Sequence, residues 1–257
     1  MDAVLLQRLA QITEEERELL QGRGVDRALY ASGRAFEVDA AKMLEKGKLM
    51  SIRPHTRFAP FPRHSHNYVE IMYMCRGKTV HRIDGDALVT LEAGELLFLN
   101  RHASHAIQRA DAGDIAVNFI VLPQFFDEAF NMAGMDNVLS RFLLGELYTG
   151  GAAVSYLHFR VREVLPVQNL VENMVWTLVN RQPGARRINQ VTMGLLLLQL
   201  MHYTECIDMS RNGSIRSPMV EAALREIEEN YRAASLTDVA AAFHVGLPYL
   251  SAEVKRA

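Results

Sequence analysis

The stretch Arg63–Gly77 reads RHSHNYVEIMYMCRG; Lys78–Leu91 follows as KTVHRIDGDALVTL and Glu92–Arg109 as EAGELLFLNRHASHAIQR. In an extended chain alternate residues share a face, so His64, His66 and Glu70 are expected on the same side of one strand. Asp84-Gly85 predicts a hairpin turn, and the chain then returns through Leu88–Leu91. After a turn at Ala93-Gly94, the apolar run Leu96–Leu99 and a polar loop deliver His105. The pattern predicts a β-barrel over about residues 48–122 with these four side chains directed into one cavity. Met72, Met74 and Arg76 continue the parity of Glu70 and are candidates to line it, with plain core packing the alternative for the methionines.

Working outward, Leu49–Arg57 reads as the first barrel strand, and Pro60 and Pro62 punctuate the approach to His64. Ile115–Val121 is an apolar segment of strand length ended by Pro123, where the barrel is expected to close. Residues 1–47 read as helices bracing the barrel, with Thr13 and Glu16 as a capping box before Leu19-Leu20. Residues 123–210 turn helical: a helix at 137–148, a β-like piece at Val154–Phe159, then two long apolar helices. The first of these stops at Pro183-Gly184, and the second is expected from about Arg187 to Ile207. Leu195–Leu198 surrounds much of that second helix, so Leu195, Leu198 and Met201 are candidate contacts of a homodimer.

At its histidines the sequence resembles the cupin superfamily. His64, His66, Glu70 and Gly77 stand at the spacing of that superfamily's first motif, and Gly94 and His105 at that of its second, with Asn100 and His102 in place of the usual Pro and Gly. The resemblance implies a small antiparallel barrel with an effector or metal site at His64, His66, Glu70 and His105. No cofactor identity follows, although imidazole and carboxylate donors suit a first-row divalent metal.

Arg211–Ser214 is a polar, turn-prone linker, and residues 215–257 read as a separate helical segment. Ser217-Pro218 starts a helix with Val220, Leu224, Ile227 and Tyr231 on one face. Ser235 and Asp238 cap a short helix whose buried face is Leu236, Val239, Ala240 and Phe243. His244-Val245-Gly246 makes a turn, and Pro248–Ala257 restarts a helix with Leu250 and Val254 facing back. This run, SLTDVAAAFHVGLPYLSAEVKRA, resembles the first helix-turn-helix of the AraC/XylS family of transcriptional regulators. The resemblance implies an α+β chain: a cupin-like antiparallel β-barrel with flanking helices, a helical hairpin, then an all-α DNA-binding segment holding the first half of a two-unit domain. By that resemblance Pro248, Ser251 and Ala252 face the bases; Tyr249, Lys255 and Arg256 are candidates to contact phosphates, with solvated helix-end side chains the alternative for each. With one helix-turn-helix unit per subunit, operator binding is expected to be weakened toward the non-specific range.

Composition agrees with a folded protein and selects no partner. The chain has 257 residues, 49% hydrophobic and 23% charged, with a net charge of -2, so DNA contact must rest on a local patch. Its two cysteines, Cys75 in a strand and Cys206 in an apolar helix, read as buried thiols of a reducing compartment. No segment is apolar for the roughly eighteen residues a membrane span requires, and no secretory signal stands at the N-terminus, so a cytoplasmic location is expected. The expected function is a ligand-responsive regulator, not an enzyme, with DNA, a small-molecule effector that sugar-responsive relatives suggest is a carbohydrate, and a second copy of itself as partners. The alternatives are a metal-dependent cupin enzyme, such as an isomerase or dioxygenase, and a dimerisation partner without autonomous DNA binding.

Overall fold

The alternation read in the sequence becomes two antiparallel sheets whose inward residues share one core. The computed structural model describes residues 1–135, 137–149, 152–209, 223, 226–227, 235–242 and 245–256. They divide into two units, Met1–Asn212 and Gly213–Ala257. No helix among the described residues is long and apolar enough to cross a membrane.

In the first unit, β1 (Glu37–Val38), β3 (Phe61–His66), β8 (Ser104–Ile107), β5 (Lys78–Ile83) and β6 (Ala87–Glu92) form a five-stranded sheet in the order β1-β3-β8-β5-β6. A six-stranded sheet runs β13-β12-β7-β4-β9-β2, from β2 (Met50–Pro54), β4 (Val69–Arg76), β7 (Leu96–Leu99), β9 (Ile115–Val121), β12 (Tyr156–Phe159) and β13 (Ile207–Met209). A separate small hairpin joins β10 (Tyr148–Thr149) to β11 (Ala152–Ala153). All these pairings are antiparallel except β1 with β3. Phe61, Ile83, Leu91 and Ile107 from the first sheet and Met72, Leu97, Leu99 and Ile120 from the second belong to one buried cluster. Each such side chain contributes about 1.5–3 kcal/mol by leaving water.

Strand β4 is buried along nearly its whole length, because its second face is covered as well. Helix α6 (Leu165–Val179) lies there, and the Tyr73 hydroxyl donates to Gln168 Oε1 at 2.7 Å. Double coverage explains why β4 reads as a continuous apolar run and not as an alternation. Two glycines permit close approaches at the strand ends. Gly77 (φ +82°) sits against Asp114, and Gly94 (φ +84°) lies where a Cβ would come 2.9 Å from Arg162 Cα. Both need the left-handed conformation that costs other residues free energy.

At the N-terminus α1 (Ala3–Leu9) and α2 (Glu14–Leu20) form, and α2 carries the Thr13/Glu16 capping box expected from the sequence. Helix α3 (Ala40–Met43) precedes β2. Beyond the sheets lie α4 (Asp127–Ala133) and α5 (Val138–Leu144), then the hairpin of α6 with α7 (Ala185–Met201).

Three local expectations are corrected. The sheets do not end near Val121, since β12 pairs with β7 and β13 with β12. Strand β12 falls within the β-like piece expected at Val154–Phe159, whereas β13, at three residues, is too short for periodicity to single out. The second hairpin helix stops at Met201, and Cys206 lies in a 3-10 turn leading into β13, half-buried like Cys75.

In the second unit α8 (Leu236–Ala242) and α9 (Leu247–Arg256) pack through Ala240 and Leu250, with Ala223 in the same cluster and Leu236, Val239, Val245 and Val254 around it. Ser235 Oγ accepts from the Asp238 N–H at 3.3 Å, and the Val245 N–H donates to the Ala240 carbonyl at 3.0 Å. Ile227, expected on an apolar face, is exposed, whereas Ala223 is buried. The expected linker at 211–214, the helix start at Ser217-Pro218 and residues Val220, Leu224, Tyr231, Phe243 and His244 lie outside the described residues.

Candidate functional site

His64, His66, Glu70 and His105 converge, but not by the route that strand parity suggests. Strand β3 ends at His66, Asn67 and Tyr68 intervene, and Glu70 belongs to β4 in the other sheet. His64 and His105 are direct cross-strand partners, with ring centroids 4.2 Å apart. His105 Nε2 lies 3.4 Å and His66 Nε2 3.6 Å from Glu70 Oε2. The site is therefore clamped between the sheets.

Two histidines that the spacing argument passed over join the cluster. The His81 ring stacks on His105 at 5.8 Å between centroids, and His55 lies 6.2 Å from His81. His81 follows Thr79 and precedes Ile83 on the inward face of β5, so its parity carried a signal. His55 follows β2 in the parity of Ser51 and Arg53, the polar side of that strand's alternation, so nothing in the pattern marks it as an inward group.

Burial decides the protonation of these rings. Desolvation holds all five imidazoles below their ordinary range, opposed by attraction to Glu70 for all but His105; His55 is pushed down to about 4 and His66 to about 3. They are neutral at pH 7, so each has one donor and one acceptor nitrogen. With the Pro62 carbonyl as acceptor, His64 Nδ1–H donates to it at 2.9 Å, which leaves the lone pair on Nε2. Thr79 Oγ1 lies 2.8 Å from His81 Nε2, and Asn118 Nδ2 donates to Glu70 Oε1 at 2.9 Å.

Much of the remaining polar capacity has no partner. His55 Nε2, both ring nitrogens of His66 and of His105, His81 Nδ1, Glu70 Oε2 and Asn118 Oδ1 are buried without a hydrogen bond. Orphaned polar atoms cost about 1–3 kcal/mol each in a stable interior, so their concentration in one place makes this cluster the candidate site. Of these residues His55, Glu70 and Asn118, together with His64, line a cavity of about 40 Å³ closed by Tyr30, Val38 and Met43 from the N-terminal segment, while His66, His81 and His105 pack behind it. Among the described residues, His64, Glu70 and His105 form the group able to hold a metal ion, with a ligand atom of each within 4.8 Å of the others.

The cavity mouth carries a charged group. Arg53 Nη2 donates to Glu15 Oε2 at 2.8 Å and to the Tyr30 hydroxyl at 3.1 Å, and Tyr30 donates to Glu15 Oε1 at 2.5 Å. Behind it Arg57 and Glu16 form a buried pair, with Nε to Oε1 at 2.7 Å and Nη2 to Oε2 at 2.8 Å. Helix α2 is thereby fastened to the sheet beside the cavity.

The three further β4 candidates do not line it. Met72 and Met74 are fully buried in the apolar core. A register shift between Met74 and Arg76 breaks the parity, and Arg76 Nε donates instead to the Gly113 carbonyl. On α9, Pro248 and Tyr249 are exposed, as is Lys255, while Ser251 is half-buried; the side chains of Ala252 and Arg256 lie outside the described residues. On α7, Leu195 is exposed and Leu198 and Met201 are half-buried.

Comparison with solved structures finds an apo ToxT variant from Vibrio cholerae, 11% identical over 83% of this chain and 77% of that one, at a TM-score of 0.47. The AraC-like transcriptional activator CuxR is 12% identical over 70% and 58% of the two chains, at 0.32. A cupin protein from Bacteroides fragilis is 28% identical over 28% and 64%, at 0.24. No curated protein sequence matches the chain. The family model of the AraC-like ligand binding domain matches residues 51–130, the segment that holds β2–β9 and every histidine of the cluster. Residues 51–130 thus belong to the AraC-like ligand binding domain family.

Proposed function

We propose that the chain is a ligand-responsive transcription regulator, working in the cytoplasm as a homodimer, whose effector is a small polyhydroxylated molecule of carbohydrate type. The observation that carries the reading is that His55 Nε2, Glu70 Oε2 and Asn118 Oδ1, on residues lining one cavity, are buried without hydrogen-bond partners. A hydroxyl both donates and accepts. It therefore matches neutral imidazoles, the Glu70 carboxylate and the Asn118 carbonyl together, which a purely anionic or purely apolar ligand does not. At about 40 Å³ the cavity has room for a few water molecules. A sugar enters by displacing Tyr30, Val38 or Met43, so effector binding and movement of the N-terminal segment are one event.

The second unit supplies the DNA contact in this reading. Leu250 commits one face of α9 to the core, which leaves Pro248, Ser251 and Ala252 for base edges and Tyr249, Lys255 and Arg256 for phosphates. No catalytic role is assigned to the histidines. Thermal-shift and calorimetric titration of the chain against sugars, organic acids and divalent metals tests the effector, because a ligand of the folded state raises its stability. A sugar that stabilises the protein but not its Glu70→Gln variant is the expected result. Failure of every sugar sinks the carbohydrate reading. For DNA, Lys255→Gln is expected to flatten the salt dependence of binding by about 0.9 in log–log slope.

A second reading rests on the mutual reach of His64, Glu70 and His105. Two neutral imidazoles and one carboxylate within reach of one another would supply three donors suited to a first-row divalent ion in a sensor or an enzyme. Elemental analysis of protein purified without an affinity tag separates the readings; far less than one metal per chain decides against this one.

A further inference from the structure

We propose a second small-molecule site on the first unit, in the trough between the α6–α7 hairpin and the β2 side of the barrel, taking a hydroxylated organic acid with an apolar body. Two cavities of about 560 and 230 Å³ meet there and share Lys48, Met50, Leu178 and Ala185. Together they fall in the size range of small-molecule pockets, which the histidine cavity does not.

Three features define the occupant. Asn189, on α7 and buried, lines the inner cavity, and its Oδ1 has no hydrogen-bond partner. That acceptor calls for an O–H or N–H from outside the protein. Lys46, Lys48 and Arg186 stand at the rim, with no carboxylate in ion-pair reach among the described residues. The one acidic lining residue, Glu45, pairs with Arg181, and Arg187 is taken by Glu128. Helix α7, 17 residues long, begins in the same place, and its N-cap Gly184 offers no side chain to the first-turn N–H groups. Free cations and an uncapped helix start both favour an anion. Leu49, Met50, Phe125 and Leu178 supply the apolar wall.

A carboxylate at Lys48, Arg186 and the start of α7, with a neighbouring hydroxyl donating to Asn189 Oδ1 and a hydrocarbon body on the wall, satisfies all three at once. The trough adjoins the histidine cavity at Met43 and Pro54, but the groups that define its occupant, Asn189, Lys48 and Arg186, lie outside that cavity, so the assignment does not depend on the effector reading.

Isothermal titration of the full chain with 3-phenyllactate and with 3-phenylpropanoate, which lacks the hydroxyl, tests the assignment. We expect 3-phenyllactate to bind at about 1 mM or tighter, and 3-phenylpropanoate about fivefold more weakly. Lys48→Gln with Arg186→Gln, both at exposed positions, is expected to weaken 3-phenyllactate about tenfold or more. In Asn189→Leu the two acids bind alike, whereas Glu70→Gln leaves both affinities unchanged. No binding of 3-phenyllactate, indifference to the rim substitutions, no preference for the hydroxylated acid, or loss of binding in Glu70→Gln overturns the proposal.

Discussion

His105 Nε2 lies 3.4 Å from Glu70 Oε2 although the two residues belong to different sheets, β8 and β4. A neutral imidazole and a buried carboxylate at that distance, neither with a full set of hydrogen bonds, are held together by the packing around them and not by their own attraction. The site is organised at the expense of stability, as binding sites commonly are.

Neutralising Glu70 follows from this. Glu70→Gln keeps the shape and can keep the contact with Asn118 through its amide oxygen, while removing a buried charge. The variant is expected to be as stable as the parent or more stable by up to about 2 kcal/mol in urea denaturation, while losing effector or metal binding. A loss of more than that amount would mean that Glu70 serves the fold.

Acid should act through the histidines with a definite sign. Their folded pKa values are depressed, with His55 at about 4 and His66 at about 3, so the folded chain stays neutral where the unfolded chain, near 6.5, takes up protons. Stability is then fully present above pH 6.5 and is lost as pH falls toward 4, by about 1.4 kcal/mol per pH unit for each such histidine. His55→Gln should reduce the slope between pH 6 and 4.5 by about one proton, measured by urea titration at each pH.

The latch of α2 offers a third test. Burial alone would raise the Glu16 carboxyl, but the Arg57 side chain and the Thr13 N–H outweigh it and hold the group below the usual range. Glu16→Gln leaves Arg57 buried without its counter-charge, so a loss of about 3–5 kcal/mol is expected, and Glu16→Gln/Arg57→Met should recover much of it. In the parent this contribution is present above about pH 4.5 and disappears as pH falls further. Denaturation of the three proteins at pH 7 checks the order.

The hairpin face makes a fourth. Ile188, Val191 and Leu195 are exposed along α7 at spacings of three and four, beside half-buried Leu198 and Met201. If the chain pairs through this stripe, Leu195→Glu should give a monomer in sedimentation at concentrations where the parent is a dimer, with folded stability changed by less than about 0.5 kcal/mol. A monomeric parent at high micromolar concentration would remove the hairpin seam from the proposal.

What the sequence determined by itself is local. The capping box at Thr13 and Glu16, the turn at Asp84-Gly85, the inward and outward alternation of β5 and β8, and the core of α8 and α9 all follow from contacts between residues close in the chain. Motif spacing also selected His64, His66, Glu70 and His105, although the strand parity first read for Glu70 does not hold across the change of sheets. The tertiary structure decided the rest. Glu70 stands across from His105 and not on the strand of His64, since the chain changes sheets at Asn67-Tyr68. His55 enters the cluster and β12 and β13 extend the sheet through pairings with segments tens of residues away. The bulge after Met74 turned Arg76 away from the cavity. Each of these depends on how two sheets curve over a common core, which is fixed by non-local packing and leaves no period in the sequence.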